Sequence, residues 1–309
     1  MKKIVITEFM DETAVASLRT VFNVVYDPRL VDDAARLMAE VLDADAVIVR
    51  NRTQVRGDLL AACVQATAIG RLGVGLDNID VAACEARGMQ VIPATGANAL
   101  AVAEYVIGTA MVLRRGVYLS SAAVASGTWP RPALSNGREI FGTCLGLVGF
   151  GGIGRLTARL AQGLGMAVMA HDLMVAVDSP VWAETGVQCA SFEDLLSQAD
   201  VVSLHVPFTP GTANMLSAER IAGMKRGAIV INTSRGGIAD EVAVVAALRE
   251  GRLGGAAFDV FESEPLGAGS AWEGCPNAIL TPHVAGVTAE SNVRVSTLIA
   301  AAVARALKA

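Results

Sequence analysis

Unbroken apolar runs, each followed by a helix-length segment, recur along almost the whole of this sequence. KIVIT, FNVVYD, AVIVR, ATAIGRLG and MQVIP form a first set; CLGLVGF, AVMAHD, VVSLHVP, AIVINTS, GAAFDVF and AILTPH form a second. Runs with no polar alternation mark strands covered on both faces, the condition met in parallel sheets. Between them lie stretches such as DETAVASLRTV, VDDAARLMAEVLD and DEVAVVAALREG, each able to make a right-handed crossover to the next strand. The expected fold class is therefore α/β, with doubly wound parallel sheets. At 309 residues the chain is long for one core and sufficient for two, and its 31 glycines suit closely packed layers joined by sharp turns.

Two segments place the domains. The stretch from about 98 to 127 reads as one long helix without a strand partner nearby, a bridge into a second domain. The last apolar segment, VRVSTLIAAAVARALKA, is interrupted by arginines and too short to span a bilayer, so it reads as a closing amphipathic helix. Because it follows the last strand, the chain is expected to return to its first domain. The boundaries expected are 1–96 plus 285–309 for one domain and 97–284 for the other. No fixed-period repeat and no low-complexity linker breaks this plan.

Composition narrows the function classes. The net charge of −5 offers no attraction to nucleic acid or to an anionic membrane. Five cysteines without a CxxC pair argue against a disulfide framework and against a zinc site; no metal is expected, and free thiols suit a reducing cytoplasm. The N-terminal MKKIVITEFMDE loses its apolar character at Thr7-Glu8 and reads as a first strand rather than a signal peptide.

LGLVGFGGIGRLTARLAQGLG carries Gly149-x-Gly151-x-x-Gly154 between an apolar strand and a helix. The first glycine allows a turn that a Cβ would block, the second lets backbone approach a pyrophosphate, and the third lets helix pack on strand. The helix N-terminus then offers free N–H groups to the phosphates. GxGxxG alone is a weak signal. Here Asp172 ends the next strand at the separation the dinucleotide fingerprint requires, where it would accept hydrogen bonds from the adenosine ribose. Its charge, followed by Leu173-Met174-Val175 with no arginine, favours NAD over NADP. The plain alternative is an aspartate that caps a turn.

Three later strands end in polar groups. AIVINTSRGG presents Arg235, GAAFDVFESEP presents Asp259, Glu262 and Glu264, and AILTPH ends in His283. In open α/β sheets ligands bind beyond the carboxyl ends of the strands. Reduction of a ketone by a nicotinamide needs a proton donor at the carbonyl oxygen, and histidine titrates nearest neutrality. A carboxylate behind the ring, Glu264, would orient it and favour imidazolium. Arg235 could hold a substrate carboxylate with two N–H groups. Singly, each could be an ordinary turn residue; together, after a cofactor turn, they point to catalysis. His171 reads as an exposed or adenine-side residue.

At this point the sequence resembles the D-isomer-specific 2-hydroxyacid dehydrogenase family, which includes D-3-phosphoglycerate dehydrogenases, through GRLGVGLDNID, GLVGFGGIG, LHVPFTPGT, INTSRGGIADE, GAAFDVFESEP and LTPHVAG. The likeness covers nearly the whole chain. It implies a flavodoxin-like substrate domain and a Rossmann NAD-binding domain with an interdomain cleft, and a homodimer. It implies Arg235, Glu264 and His283 as the catalytic set. For the cofactor it implies Gly149, Gly151, Gly152, Ile153, Gly154 and Asp172, the loop with His205, Pro207 and Thr212, and Thr233, Asp259 and Gly286. His205 is read as cofactor-side structure rather than a second catalyst. For the substrate it implies backbone N–H groups of Gly73, Val74 and Gly75, and Arg50, Asn51 and Arg52 at its distal end. Gly152 departs from the long basic residue many members carry there. The chain also ends where long-form phosphoglycerate dehydrogenases continue into a regulatory domain, so serine feedback through such a domain is not expected.

The function expected is NAD-dependent interconversion of a small 2-hydroxy acid and its 2-keto acid. Arg50 and Arg52 suggest a second anionic group, as in 3-phosphoglycerate or 3-sulfolactate. Glyoxylate or hydroxypyruvate reduction is the alternative if these arginines face solvent. A non-enzymatic NADH-binding corepressor would retain the same motifs. Formate dehydrogenase is disfavoured, because its histidine pairs with glutamine and this chain has Glu264.

Overall fold

The computed structural model describes residues 1–308, so Ala309, the last residue of the expected closing helix, lies outside the description. Two compact units divide the chain: Met1–Asn98 with Val287–Ala309, and Ala99–Gly286.

The first unit runs β1 (Lys3–Ile6), α1 (Glu12–Arg19), β2 (Asn23–Tyr26), α2 (Ala34–Val41), β3 (Ala46–Val49), α3 (Gly57–Ala62), β4 (Ala68–Arg71), α4 (Val81–Ala86) and β5 (Gln90–Pro93). Its five strands pair in parallel in the order β2-β1-β3-β4-β5, the flavodoxin-like arrangement. The continuous apolar runs have a direct cause. In β1, Ile4 and Ile6 point into one core with Ile48 and Phe22, while Val5 between them points into the opposite core with Val47, Leu30 and Val41. Both faces are dry, so neither residue parity is polar. Aspartates start the helices: Asp11 accepts N–H groups of Thr13 and Ala14, Asp33 that of Arg36 and Asp80 that of Ala83.

The second unit runs α5 (Ala99–Arg115), α6 (Ser121–Ala125), α7 (Arg131–Leu134), β6 (Cys144–Val148), α8 (Gly152–Gly163), β7 (Ala167–His171), α9 (Val181–Thr185), β8 (Gln188–Cys189), α10 (Phe192–Gln198), β9 (Val201–Leu204), α11 (Ala218–Gly223), β10 (Ile229–Asn232), α12 (Glu241–Arg249), β11 (Gly255–Phe258) and β12 (Ala278–Leu280). The expected single helix over about 98–127 is not one element. It stops at Arg115 because Gly116 takes the left-handed conformation (φ 69°) and donates its N–H to the Val112 carbonyl. The two-residue edge strand β8 has no counterpart among the expected strands; it is too short to leave a periodic signal.

All seven strands are parallel, in the order β12-β11-β10-β9-β6-β7-β8. Counting from β6, this is the dinucleotide-fold order with one strand added at the edge. The order reverses between β6 and β9. Ala158 and Ala161 of α8 pack on one face with Leu145 and Leu147, and Ile221 of α11 packs on the other with Val202 and Val230. A crevice at the strands' carboxyl ends follows from that divergence.

The chain closes with α13 (Ala289–Lys308), which belongs to the first unit and buries Val295, Ile299, Val303 and Leu307 in the core with Ile4, Ile6 and Ile48. Ile299 is fully buried. Ile299→Ala should therefore lower unfolding free energy by about 2–5 kcal/mol in urea titration. A loss below about 0.5 kcal/mol, the range of surface substitutions, would show that this helix does not complete the core.

Candidate active site

Past β6 the chain turns at Gly149, whose φ of 101° and whose packing both require glycine: a Cβ there would lie 2.5 Å from the His205 carbonyl oxygen. A Cβ on Gly154 would lie 2.4 Å from the Gly149 oxygen, which fixes α8 tightly on the strand. Around Gly151 and Gly152 the reverse holds, since an added Cβ would meet nothing within 4 Å. The helix begins at Gly152 without a side-chain cap, leaving its first N–H groups for an anion. Arg155 turns back from this opening: its Nε donates to the Phe150 carbonyl (3.0 Å) and its guanidinium lies over the Phe150 ring.

Asp172, just past β7, accepts the Phe150 N–H (2.6 Å) on one oxygen and the Met174 N–H (2.7 Å) on the other. One lone pair on each oxygen remains for a ribose diol. His171 instead turns inward, with Nδ1 3.2 Å from the Ala190 carbonyl and its ring beside Phe192. After β9, the Thr212 hydroxyl donates to the Pro207 carbonyl (2.6 Å) and accepts the Thr209 N–H (2.8 Å), pinning that loop. The His205 N–H donates to the Val148 carbonyl (2.7 Å), and its Nε2 lies 3.0 Å from the Ser203 hydroxyl. Burial pulls its pKa down to about 4, so the ring is neutral at pH 7. Thr233, one residue past β10, has a buried hydroxyl with no hydrogen-bond partner among the described residues. An open glycine cradle, an uncapped helix and an orphaned hydroxyl fit a bound dinucleotide.

Charged and titratable side chains gather past the ends of β10, β11 and β12. Asp259, 1% exposed, accepts the Thr281 hydroxyl (2.6 Å) and the Val284 N–H (2.8 Å) on one oxygen and the Ala285 N–H (2.8 Å) on the other. Its carbonyl also accepts the His283 N–H (2.8 Å), so the turn carrying His283, held at φ 55°, is anchored on four sides. The imidazole Nδ1 meets Glu264 Oε2 at 2.7 Å, while Glu264 Oε1 accepts the Phe261 N–H (3.0 Å). Nδ1 thus carries the proton toward the carboxylate, and Nε2 has no partner among the described residues. The histidine side chain is 47% exposed.

Arg235 follows β10 on a turn stitched by Asn232, which donates to the Arg235 carbonyl (2.9 Å) and accepts the Ser234 N–H (3.0 Å). Ser234 also donates to the Leu204 carbonyl (2.6 Å). A Cβ on Gly236 would lie 1.9 Å from the Phe261 carbonyl oxygen, so the arginine turn and the Glu264 loop touch directly. Gly286 is the last residue of this unit.

In the first unit, Arg50, Asn51 and Arg52 follow β3. Their N–H groups and that of Thr53 converge on the Glu8 carboxylate at 3.0, 3.4, 3.1 and 3.0 Å. Burial would raise the Glu8 pKa, but these donors outweigh it and hold the carboxyl below its ordinary value. The Arg50 guanidinium donates to Asn292 (2.9 Å) and lies over the Phe9 ring; that of Arg52 pairs with Asp32. The Gly73 N–H donates to the Arg71 carbonyl (2.8 Å), whereas those of Val74 and Gly75 have no backbone acceptor among the described residues. Arg71 lays its guanidinium against Gly73, where a Cβ would lie 1.4 Å from Nη1. Neither Glu8 nor Arg71 stands out in the sequence. A single acid after an apolar run looks solvated until the loop that folds onto it is known.

A dinucleotide turn at the switch point, with a carboxylate-backed histidine at neighbouring strand ends, defines a nicotinamide-dependent dehydrogenase. Residues 107–285 match the family model "D-isomer specific 2-hydroxyacid dehydrogenase, NAD binding domain". The chain is 52% identical over 307 residues to the (S)-sulfolactate dehydrogenase of Chromohalobacter salexigens, covering 99% of each. It is 39% identical over 275 residues to the D-3-phosphoglycerate dehydrogenase of Mycobacterium leprae, covering 89% of this chain and 51% of that one. The crystal structure of D-lactate dehydrogenase from Aquifex aeolicus complexed with NAD and lactic acid superposes with a TM-score of 0.85 at 26% identity, covering 99% of this chain and 96% of that one. This chain belongs to the D-isomer specific 2-hydroxyacid dehydrogenase family, and NAD is its cofactor.

The neutral His205 has a consequence for pH. Unfolded, the ring titrates near 6.5; folded, near 4; between the two the unfolded chain binds more protons, so stability falls as pH drops through this window, by at most about 3 kcal/mol. Denaturation midpoints of wild type and His205→Gln between pH 7 and 4.5 should converge on acidification. Parallel curves would show that this ring does not titrate in that way.

Proposed function

We propose that this protein interconverts a small 2-hydroxy acid bearing a second anionic group, 3-sulfolactate foremost and 3-phosphoglycerate next, with the corresponding 2-keto acid. The observation that carries the reading is the His283–Glu264 pair at 2.7 Å with Nε2 open. The 52% identity to an (S)-sulfolactate dehydrogenase orders the substrates.

NAD, when bound, supplies the hydride acceptor and, once reduced, the donor. The glycine turn, the α8 N-terminus, Asp172 and the loop with His205, Pro207 and Thr212 bind its adenosine and pyrophosphate. Thr233, Asp259 and Gly286 would serve its nicotinamide half, Asp259 chiefly through the turn it anchors. Arg235 holds the substrate carboxylate and carbonyl. His283 Nε2 gives its proton to the carbonyl oxygen during reduction and takes it back during oxidation. Glu264 keeps Nδ1–H paired, so the ring presents Nε2 to substrate. The first unit takes the substrate-binding role, with Arg50, Asn51 and Arg52 toward the distal anion.

A second reading has its own support. Both guanidinium groups already have partners, Asn292 and Phe9 for Arg50 and Asp32 for Arg52, which favours a plain 2-keto acid such as glyoxylate or hydroxypyruvate. Loss of NADH absorbance with 3-sulfopyruvate, 3-phosphohydroxypyruvate, hydroxypyruvate and glyoxylate separates the two. The sulfonate or phosphate acid should have the highest kcat/KM, with Arg52→Ala weakening only these. Equal effects of Arg52→Ala on all four would reject the distal-anion role. His283→Ala should lower kcat by roughly 10²–10⁴-fold; an unchanged kcat would remove that ring from the mechanism. NADH binding without turnover on any of them would favour a corepressor.

We also propose a homodimer in the cytoplasm. Five free cysteines suit a reducing compartment. Trp129 and Phe141, 74% and 75% exposed on the segment between α5 and β6, are large apolar side chains that a second copy would cover. Sedimentation should give twice the chain mass, and Trp129→Asp should shift it toward one; a wild-type monomer at micromolar concentration would end this assignment.

A further inference from the structure

Glu241 takes no part in the scheme above, yet it holds the loop on which that scheme depends. It is the first residue of α12, and both carboxylate oxygens are engaged. Oε1 accepts the Glu262 N–H at 2.6 Å and Oε2 accepts the Trp272 indole N–H at 2.7 Å. Trp272 is itself 4% exposed and packs its ring 4.8 Å from that of Phe258, the residue before Asp259. The indole is a fixed post, and the carboxylate is a strap from that post to the backbone two residues before Glu264.

The strap matters because residues 262–265 are exposed and have little else to fix them. From Glu262 the backbone must place Glu264 so that one oxygen accepts the Phe261 N–H and the other meets His283 Nδ1. The Phe261–Glu262 peptide also presses on Gly236, beside Arg235. A shift of the Glu262 N–H therefore moves both the carboxylate behind the histidine and the wall against which the arginine turn rests. Charge-assisted hydrogen bonds to an anion are about twice as strong as neutral ones, so a carboxylate suits this post better than an amide.

We propose that Glu241 is a positioning residue for the Glu264–His283 pair, acting from its Trp272-anchored carboxylate through the Glu262 backbone. The proposal rests on the dehydrogenase reading for its kinetic consequence, but not for its structural one. Glutamine at this place offers one acceptor and one donor to two N–H groups, so one of them loses its partner. Glu241→Gln should lower kcat ~10- to 100-fold while KM for the keto acid and Kd for NADH stay within about twofold, because a displacement of an ångström at the reacting groups costs rate rather than binding. On a Glu264→Gln background the same substitution should have little further effect, since the group it positions is already gone.

A readout independent of turnover accompanies this. The chain has three histidines, so ¹⁵N-histidine labelling gives a resolvable imidazole spectrum, with the His283 signals assigned by His283→Ala. Glu241→Gln should move the His283 Nδ1 and Nε2 resonances in the direction Glu264→Gln moves them and leave those of His171 and His205 in place. Trp272→Phe, which removes the indole N–H along with part of the ring, should also move the His283 resonances in the same direction and serves as the test if Glu241→Gln does not fold. Unmoved His283 resonances, or an undiminished loss of kcat on the Glu264→Gln background, would overturn the proposal. If wild type turns over no keto acid while the His283 resonances still respond to Glu241→Gln, the dehydrogenase reading fails and the positioning role stands.

Discussion

The buried carboxylate of Asp259 is the interaction on which the placement of His283 depends. A carboxyl group with 1% exposure is tolerable only when its lone pairs are met, and here they are met by the Thr281 hydroxyl and the Val284 and Ala285 N–H groups. Those donors come from one short turn, and the turn contains His283. Satisfying the buried acid and aiming the histidine are therefore a single requirement. The left-handed backbone of His283, rare for a residue with a Cβ, persists because the bonds around it leave the turn no other course.

The parallel sheet makes such a cluster possible. Each strand delivers its last residues to the same edge, so Asn232–Arg235, Phe258–Glu264 and Leu280–His283, distant in sequence, arrive side by side as β10, β11 and β12. Further along that edge, between β9 and β6, the order of strands reverses, and the glycine turn opens there. The glycine turn and the His283–Glu264 pair both follow strands of this one sheet, the pair through the Glu264 loop. That loop in turn is tied back to the scaffold through Glu241 and Trp272.

How much of this was readable beforehand differs by feature. Strands buried on both faces declare themselves as apolar runs, so β1, β3, β6, β9 and β10 were visible, and Gly149, Asp172, Arg235, Glu264 and His283 could be marked from their places at strand ends. β8 has two residues and no run to show. The segment after Arg115 keeps a helical composition, so the sequence does not show that the left-handed Gly116 ends the helix there. Glu8 and Glu241 escaped for a common reason: each is a charged residue whose partners lie elsewhere in the chain, and a sequence pattern carries no record of such partners.

What the sequence alone determined is the periodicity and its punctuation: which segments must be covered on both faces, where glycine is required, and which titratable groups close each strand. Local sterics and hydrophobic burial act on neighbours in the chain, so they leave their mark there. What only the tertiary structure decided is which of those groups meet. The 2.7 Å approach of His283 to Glu264, the convergence of four N–H groups on Glu8 and the strap from Glu241 to Glu262 are each set by the packing of strands and helices brought together across many residues. Hydrogen bonds at these distances act only on groups already in place, so their geometry is a consequence of the fold that no spacing in the sequence encodes.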